Sequence, residues 1–257
     1  MVAALALLVP AACSAAPAGS VELTVFAAAS LSDALTAAGN VYEVDNRGVS
    51  LTLSFDASSA LRTQIEQGAP GDVLASADMA NPQALVDGKL AVGPVVQFAR
   101  NELTIVVPAA NPARIGDPRD LARPGVWIVG AGESVPISRY IDECLAKLAA
   151  LPGYPAGYAA GVASNVVSRE DNVRAALTKV ELGEADAAFV YVTDAAASDA
   201  VEVVGIPAAA NVEAVYGSVA ISGSRHPAEA AAFVAWLAGP RGASILATFG
   251  FLGPAGE

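Results

Sequence analysis

Two serines in this chain stand where an extended segment gives way to a helical pattern. Ser30 ends the segment VELTVFAAAS, and Ser58 follows LTLSFDA and opens the segment SSALRTQIEQG. The first N–H groups of a helix have no partner within the helix, and the helix dipole places positive potential beside them. Two helix starts of this kind that face one another would offer neutral hydrogen-bond donors to an anion. The pattern therefore indicates capture of an oxyanion rather than catalysis.

The charge of the chain excludes one class of ligand. Its 257 residues carry a formal net charge of −12, and the 14 lysines and arginines are scattered without a basic run. Because phosphate backbones require clustered cations, nucleic-acid binding is not expected. An acidic protein can still bind an anion when oriented dipoles line a pocket of their own.

Residues 1–20 differ in composition from the rest of the chain. The apolar run MVAALALLVPAAC is followed by the small and polar SAAPAGS, which together predict an export signal and a tether. Cys13 follows two alanines and resembles a lipidation site, at which the cysteine would become the mature N-terminus. The alternative is an ordinary secretory signal that is removed together with Cys13. A lipidated Cys13 leaves Cys144 without a partner, so we expect Cys144 to be a buried, inert thiol.

Strand-like and helical segments alternate along the rest of the chain, which predicts an α/β fold with mostly parallel sheets covered by helices. The predicted helices occupy 30–42, 58–68, 137–151, 172–183 and 227–239. Ligands of such folds bind at the carboxyl ends of the strands, where the two serines lie. Two long β-branched segments, NELTIVVP (101–108) and AVYGSVAI (214–221), are candidates to cross between two lobes as a hinge. Trp127 and Trp236 are expected in the core.

Six segments follow one another in the order and spacing of a known family. They are VFAAASLSDAL, F-x-x-SS-x-L-x-x-QIEQGAPGDVLASAD, SVP before a helix, EDNVRAAL, VYVTDA and GPRGASILATFGF. Together they resemble the periplasmic molybdate-binding proteins of ABC importers, over Val21 to Phe251. The resemblance implies a two-lobed type II periplasmic-binding-protein fold with an oxyanion buried between the lobes. Residues 21–102 and 219–257 would form one lobe, and residues 103–218 the other.

The same resemblance implies five neutral donors for the oxyanion. Carried over by position, they are Ser30, Ser58, Ile137, Val173 and Tyr191. The serines would give hydroxyl and backbone N–H groups, Ile137 and Val173 backbone N–H groups at helix starts, and Tyr191 its phenol. Ser59 is the alternative to Ser58, one residue away. Fully deprotonated molybdate only accepts hydrogen bonds, so this set suits it. Direct metal ligands and cofactors are not expected.

The implied ligand is molybdate or tungstate, and the sequence does not separate the two. Sulfate suits an all-donor site but is smaller, and phosphate keeps a proton near pH 7 that calls for an acceptor; both stay open as alternatives. The family implies an extracytoplasmic protein that delivers its anion to a permease and an ATPase. We expect a monomer, and the sequence around Cys13 adds the expectation of a lipid anchor. Asp56 departs from the pattern, because a carboxylate repels an oxyanion. We expect its side chain to turn away.

An enzymatic function is not expected. The chain has no G-x-S-x-G, H-E-x-x-H or P-loop pattern, and its single histidine, His226, precedes a proline at a predicted helix start. A serine hydrolase would require His226 to reach Ser30 or Ser58. That arrangement is the remote alternative.

Overall fold

The computed structural model describes residues 20–254. The predicted export signal and the predicted lipidation site at Cys13 lie outside this range. Within it, strands and helices alternate and form two sheets flanked by helices, which confirms the predicted α/β class.

The strands and helices have the following bounds. The strands are β1 (Val21–Ala28), β2 (Val49–Asp56), β3 (Val73–Ser76), β4 (Ala91–Pro108), β5 (Ile128–Ala131), β6 (Val166–Glu170), β7 (Ala187–Tyr191), β8 (Val201–Val204) and β9 (Glu213–Ile221). The α-helices are α1 (Ser32–Asp45), α2 (Ser58–Glu66), α3 (Ala80–Asp87), α4 (Pro136–Ala150), α5 (Tyr158–Ser164), α6 (Val173–Glu181), α7 (Val192–Ala196), α8 (Pro227–Ala238) and α9 (Pro240–Thr248). Short 3-10 helices occupy Ala29–Leu31, directly before α1, and Pro118–Ala122.

The strands run in the order β2-β1-β3-β9-β4-β7-β5-β6, and β8 pairs with β4. In the first sheet, β1 lies parallel to both β2 and β3. In the second sheet, β5 lies parallel to both β6 and β7. The pairs that involve β4 or β9 are antiparallel. Parallel pairing is therefore confined to the outer part of each lobe, and the strands that join the lobes run antiparallel.

Strand β4 belongs to both sheets. Its first part pairs with β9 as far as Glu102, and its second part pairs with β7 from Leu103 onward. The predicted segment NELTIVVP forms only its second half, because the strand begins at Ala91. The preceding Gly-Pro pair disfavours a regular strand, but the chain accommodates it through a shift in pairing register between Val92 and Val96.

The two tryptophans that the sequence places in the core differ in burial. Trp127 is 59% exposed, so its expected place in the core is wrong. It directly precedes β5, and its backbone N–H donates to Asp186 Oδ2 at 2.8 Å. Trp236 is partly buried against the core, and its ring packs edge-on against Tyr42 at 5.0 Å between centroids.

Two further sequence expectations concern Cys144 and the apolar helices. Cys144 is fully buried in α4, and burial raises the pKa of its thiol to about 11, as expected of an inert cysteine. Among residues 20–254, no single helix is long and apolar enough to cross a bilayer. Only α8 and α9 together reach that length, and a bend of 57° separates them.

Helices begin directly beyond the carboxyl ends of several strands. The Ala29–Leu31 turn and α1 follow β1, α2 follows β2, α4 follows β5, α6 follows β6, and α7 follows β7. Since parallel strands end at one edge of a sheet, two of these helix starts lie at one edge of the first sheet and three at one edge of the second.

Candidate functional site

One small cavity lies where the helix starts of the two lobes meet. Its lining includes all five residues that the sequence predicts as donors: Ser30, Ser58, Ile137, Val173 and Tyr191. Each of the five is at most 4% exposed. The cavity is small: the volume open to the centre of a water-sized sphere is about 10 Å³, which corresponds to about one water molecule. A sugar or an amino acid does not fit.

Ser30 enters the cavity from the 3-10 turn that joins β1 to α1. Its hydroxyl lies 2.9 Å from the phenol oxygen of Tyr216 in β9, and both residues are buried. The turn and α1 form one continuous helical run, so the N–H groups at its start have no partner within the run. Ser30 therefore offers both a hydroxyl and a helix-start amide.

Ser58 is the first residue of α2 and supplies the second helix start from the same lobe. Its hydroxyl oxygen accepts a hydrogen bond of 3.0 Å from the backbone N–H of Ala77. Ser59 lies outside this cavity and lines the shallower depression between Ala57 and Gly132 at the cleft mouth. The structure thus places Ser58, and not its neighbour, against the cavity.

Ile137 supplies the first backbone N–H of α4. Pro136, which begins the helix, has no N–H, and the N–H of Ser138 donates to the carbonyl oxygen of Val135 at 3.0 Å. The bulky side chain of Ile137 is buried, so only the amide is free to act on a ligand.

Val173 supplies the equivalent group at the start of α6. Asn172 caps this helix, since its side-chain oxygen accepts from Ala175 N–H at 3.1 Å. The cap satisfies the N–H of Ala175, and the N–H of Val173, one of the first of the helix, has no partner within the helix.

Tyr191 closes the set at the end of β7. Its backbone N–H donates to Asp194 at 3.2 Å, whereas its phenol oxygen has no hydrogen-bond partner among the described residues. Burial raises the pKa of the phenol well above its usual value, so the group remains a hydrogen-bond donor at neutral pH. A buried hydroxyl without a partner destabilises a fold by about 1–3 kcal/mol, which an acceptor in the cavity would offset.

Asp56 lies at the boundary between the cavity and the cleft mouth. Its Oδ1 accepts from the N–H of Ala57 at 2.7 Å and from Nδ2 of Asn172 at 3.2 Å. At least one carboxylate oxygen is therefore turned to the protein, and the second bond joins the two lobes. The sequence analysis did not single out Asn172; its only signal is an asparagine directly before a helical pattern.

The cavity is lined without any cation. No lysine, arginine or histidine belongs to its lining, and Asp56 is its one charged residue. Within residues 20–254, no group of three or more His, Cys, Asp or Glu side chains is arranged to hold a metal ion. His226 stands at the start of α8 and is not part of the lining, so the arrangement required of a serine hydrolase is not formed. The chemistry available is hydrogen-bond donation to an anion.

An ion-pair network spans the lobes beside the cavity. Arg174 in α6 donates through Nη2 to Asp33 in α1 at 2.8 Å and through Nε to Asp194 at 2.6 Å. Asp194 is fully buried, and burial raises the pKa of its carboxyl to about 6, although Arg174 opposes the shift. The network ties the first turn of α6 to the opposite lobe in this closed arrangement.

The chain matches the family model described as bacterial extracellular solute-binding protein over residues 23–252. The molybdate-binding protein ModA of Mycobacterium tuberculosis is 38% identical to it over 240 residues, which span 92% of this chain and 86% of that protein. These matches confirm the resemblance that the ordered segments indicated.

Solved structures show the same fold. The sulfate-binding protein SubI from Mycobacterium tuberculosis H37Rv superposes with a TM-score of 0.79 at 20% identity, over 90% of this chain and 86% of that chain. The periplasmic molybdate-binding protein of Azotobacter vinelandii superposes with a TM-score of 0.75 at 23% identity, over 90% of this chain and 99% of that chain. At these identities the likeness concerns the fold alone, and it confirms the predicted two-lobed architecture.

Proposed function

The chain belongs to the bacterial extracellular solute-binding proteins, and from this membership we propose that it captures molybdate or tungstate between its lobes for an ABC importer. One observation carries the proposal. The buried phenol of Tyr191 has no partner among the described residues, and it shares its cavity with the starts of four helical segments. A tetrahedral dianion would accept from all of them at once.

The donor set accounts for useful affinity without a counter-ion. A hydrogen bond to a charged partner contributes about 1.5–3 kcal/mol. Several such bonds give a binding free energy of about −8 to −12 kcal/mol after the costs of association, which corresponds to about micromolar to nanomolar affinity. The 38% identity to a protein named for molybdate binding favours the group-six oxyanions as the ligand.

Sulfate and phosphate are the alternative ligands. Sulfate suits the same neutral donors, and one structural neighbour is a sulfate-binding protein of the same fold. Phosphate near pH 7 keeps a proton and requires an acceptor, for which Asp56 is the one carboxylate in the lining. Since one oxygen of Asp56 already accepts two hydrogen bonds, a deprotonated dianion is the better match.

The remaining parts of the proposal concern location and partners. We expect an extracytoplasmic protein held at the membrane through a lipid on Cys13, which follows a short apolar run. We expect it to act as a monomer that presents its closed form to a permease, which an ATPase energises. The site has no catalytic role in this scheme.

Calorimetric titration tests the ligand. The mature chain, from about Gly19 onward, is titrated with molybdate, tungstate, sulfate and phosphate. We expect sub-micromolar binding of molybdate and tungstate, with no measurable heat from the other two anions. Binding of sulfate or phosphate alone would overturn the proposed ligand. In the Asp56→Asn variant, molybdate binding is retained or strengthened, whereas a phosphate site would lose affinity, because an amide oxygen accepts the phosphate hydrogen more weakly than a carboxylate does.

A further inference from the structure

We propose that Tyr216 is a positioning residue for the anion site: its phenol donates to Ser30 Oγ and thereby leaves the Ser30 hydroxyl hydrogen for the ligand. The inference rests on the proposed function, because it takes the cavity to be an anion site. It adds a residue from β9 that lies outside the cavity lining and that the sequence analysis did not single out.

The geometry holds Tyr216 in one place. The residue is fully buried, and its Oη lies 2.9 Å from Ser30 Oγ. Its ring packs edge-on against three other aromatic rings, with centroid distances of 5.4 Å to Phe251, 5.8 Å to Tyr191 and 6.1 Å to Phe98. Because interior side chains are close-packed, the phenol oxygen is fixed against Ser30 whether or not an anion is bound.

The direction of the hydrogen bond follows from the partners available to the two hydroxyls. Among the described residues, Ser30 Oγ is the one hydrogen-bond partner of Tyr216 Oη. If Ser30 were the donor, the hydrogen of this buried phenol would have no acceptor, which destabilises a fold. Tyr216 is therefore the donor.

The hydrogen of the Ser30 hydroxyl is then left for the cavity, since Ser30 Oγ has no other hydrogen-bond partner among the described residues. The polar chain runs from Tyr216 through Ser30 into the cavity.

The Ser58 hydroxyl also accepts a hydrogen bond from the protein, in its case from a backbone N–H. Its hydroxyl oxygen accepts from the N–H of Ala77 at 3.0 Å, so its hydrogen is likewise left for the cavity. Both serines then present a hydrogen to the cavity, and one acceptor lone pair of each oxygen is already used. A hydroxyl that could also accept would tolerate a hydrogen-bearing anion, and fixing both hydroxyls as donors favours an anion without a proton.

A double-mutant cycle tests the role of Tyr216. Tyr216→Phe keeps the ring and removes the hydroxyl, and we expect it to weaken molybdate binding by about 2- to 13-fold, the value of one neutral hydrogen bond. In a Ser30→Ala background the same change has no further effect on affinity, because the Tyr216 phenol acts on the anion only through the Ser30 hydroxyl. Tyr158→Phe is the matched control: Tyr158 is fully buried and donates to the carbonyl of Pro118 at 2.7 Å, away from the cavity. It leaves affinity unchanged.

Two results would overturn the inference. One is a Tyr216→Phe effect of equal size in the presence and absence of Ser30, which would indicate a merely structural role. The other comes from the ligand-free protein, labelled with carbon-13 at the tyrosine Cζ. We expect Ser30→Ala to shift the Tyr216 Cζ resonance, and an unchanged resonance would contradict the bond. The second measurement needs no anion, so it tests the bond between Tyr216 and Ser30 separately from the proposed function: an unchanged resonance overturns the inference alone, whereas a shifted resonance in a protein that binds no tetrahedral oxyanion overturns the proposed function.

Discussion

Arg174 and Asp33 face each other across the cleft, with 2.8 Å between Nη2 and Oδ2. The first residue stands at the start of α6 in one lobe, and the second lies in the first turn of α1 in the other. Their ion pair forms between the lobes at the edge of the candidate anion site, so it exists only while the lobes are together.

Asp33→Asn removes this ion pair and is expected to speed release of the anion. The Asp33 side chain is 52% exposed, so the pair is worth at most about 1 kcal/mol, and affinity falls by no more than about 5-fold. Stopped-flow measurement of dissociation at low and high salt checks this, because salt should remove the difference. Asp45→Asn is the control, since Asp45 pairs with Arg241 within one lobe at 3.0 Å. Equal effects of the two variants would contradict the prediction.

Ser30→Ala and Ser58→Ala are each expected to weaken molybdate binding by about 10- to 150-fold, because each removes one hydrogen bond to a charged ligand. Ser59→Ala provides the control, since Ser59 lies outside the cavity. Titration calorimetry of the three variants measures these affinities. A loss at Ser59 comparable with that at Ser58 would show that the assignment is displaced by one residue.

Tyr191→Phe should separate stability from binding. The variant loses a buried hydroxyl that has no partner among residues 20–254, so we expect its free energy of unfolding to rise by about 1–3 kcal/mol. Molybdate affinity should fall, because a donor is lost. Urea denaturation with and without molybdate measures both effects. Tyr158→Phe, which removes a satisfied hydrogen bond, should be destabilising instead; a destabilised Tyr191→Phe would refute the interpretation.

Asp194 should make stability depend on pH in an unusual direction. Burial raises the pKa of its carboxyl to about 6 from an ordinary value of 3.8, so the folded protein binds this proton more tightly than the unfolded chain does. Its contribution therefore falls as the pH rises from about 4 to about 6, by on the order of 3 kcal/mol. The difference in unfolding free energy between the wild type and Asp194→Asn, followed from pH 4 to 7, measures it. A difference that grows with pH would contradict the assignment.

Local pattern and family resemblance contributed different parts of the candidate site. Ser30 and Ser58 follow strands and open helical patterns, and that local signal is enough to place them at the carboxyl edge of a sheet. Ile137, Val173 and Tyr191 came from the family resemblance, and a tyrosine at a strand end carries no local signal.

The contacts that hold the site residues in place could not be predicted from the sequence. Tyr216 meets Ser30 across 186 positions of the chain, and Asn172 meets Asp56 across 116. Neither pairing has a periodicity to reveal it, since each joins two elements that are far apart along the chain. Trp127 was misplaced for another reason: its side chain is apolar, but the residue lies before β5 rather than within it and stays exposed.

The sharing of β4 between the two sheets bears on how the protein unfolds. This 18-residue strand pairs with β9 in one sheet and with β7 in the other. If β4 unfolds, both β9 and β7 therefore lose a hydrogen-bonded partner. We therefore expect the lobes to melt together, in one calorimetric transition with equal van't Hoff and calorimetric enthalpies. An anion that contacts only a few groups would then shift the melting temperature of the whole chain.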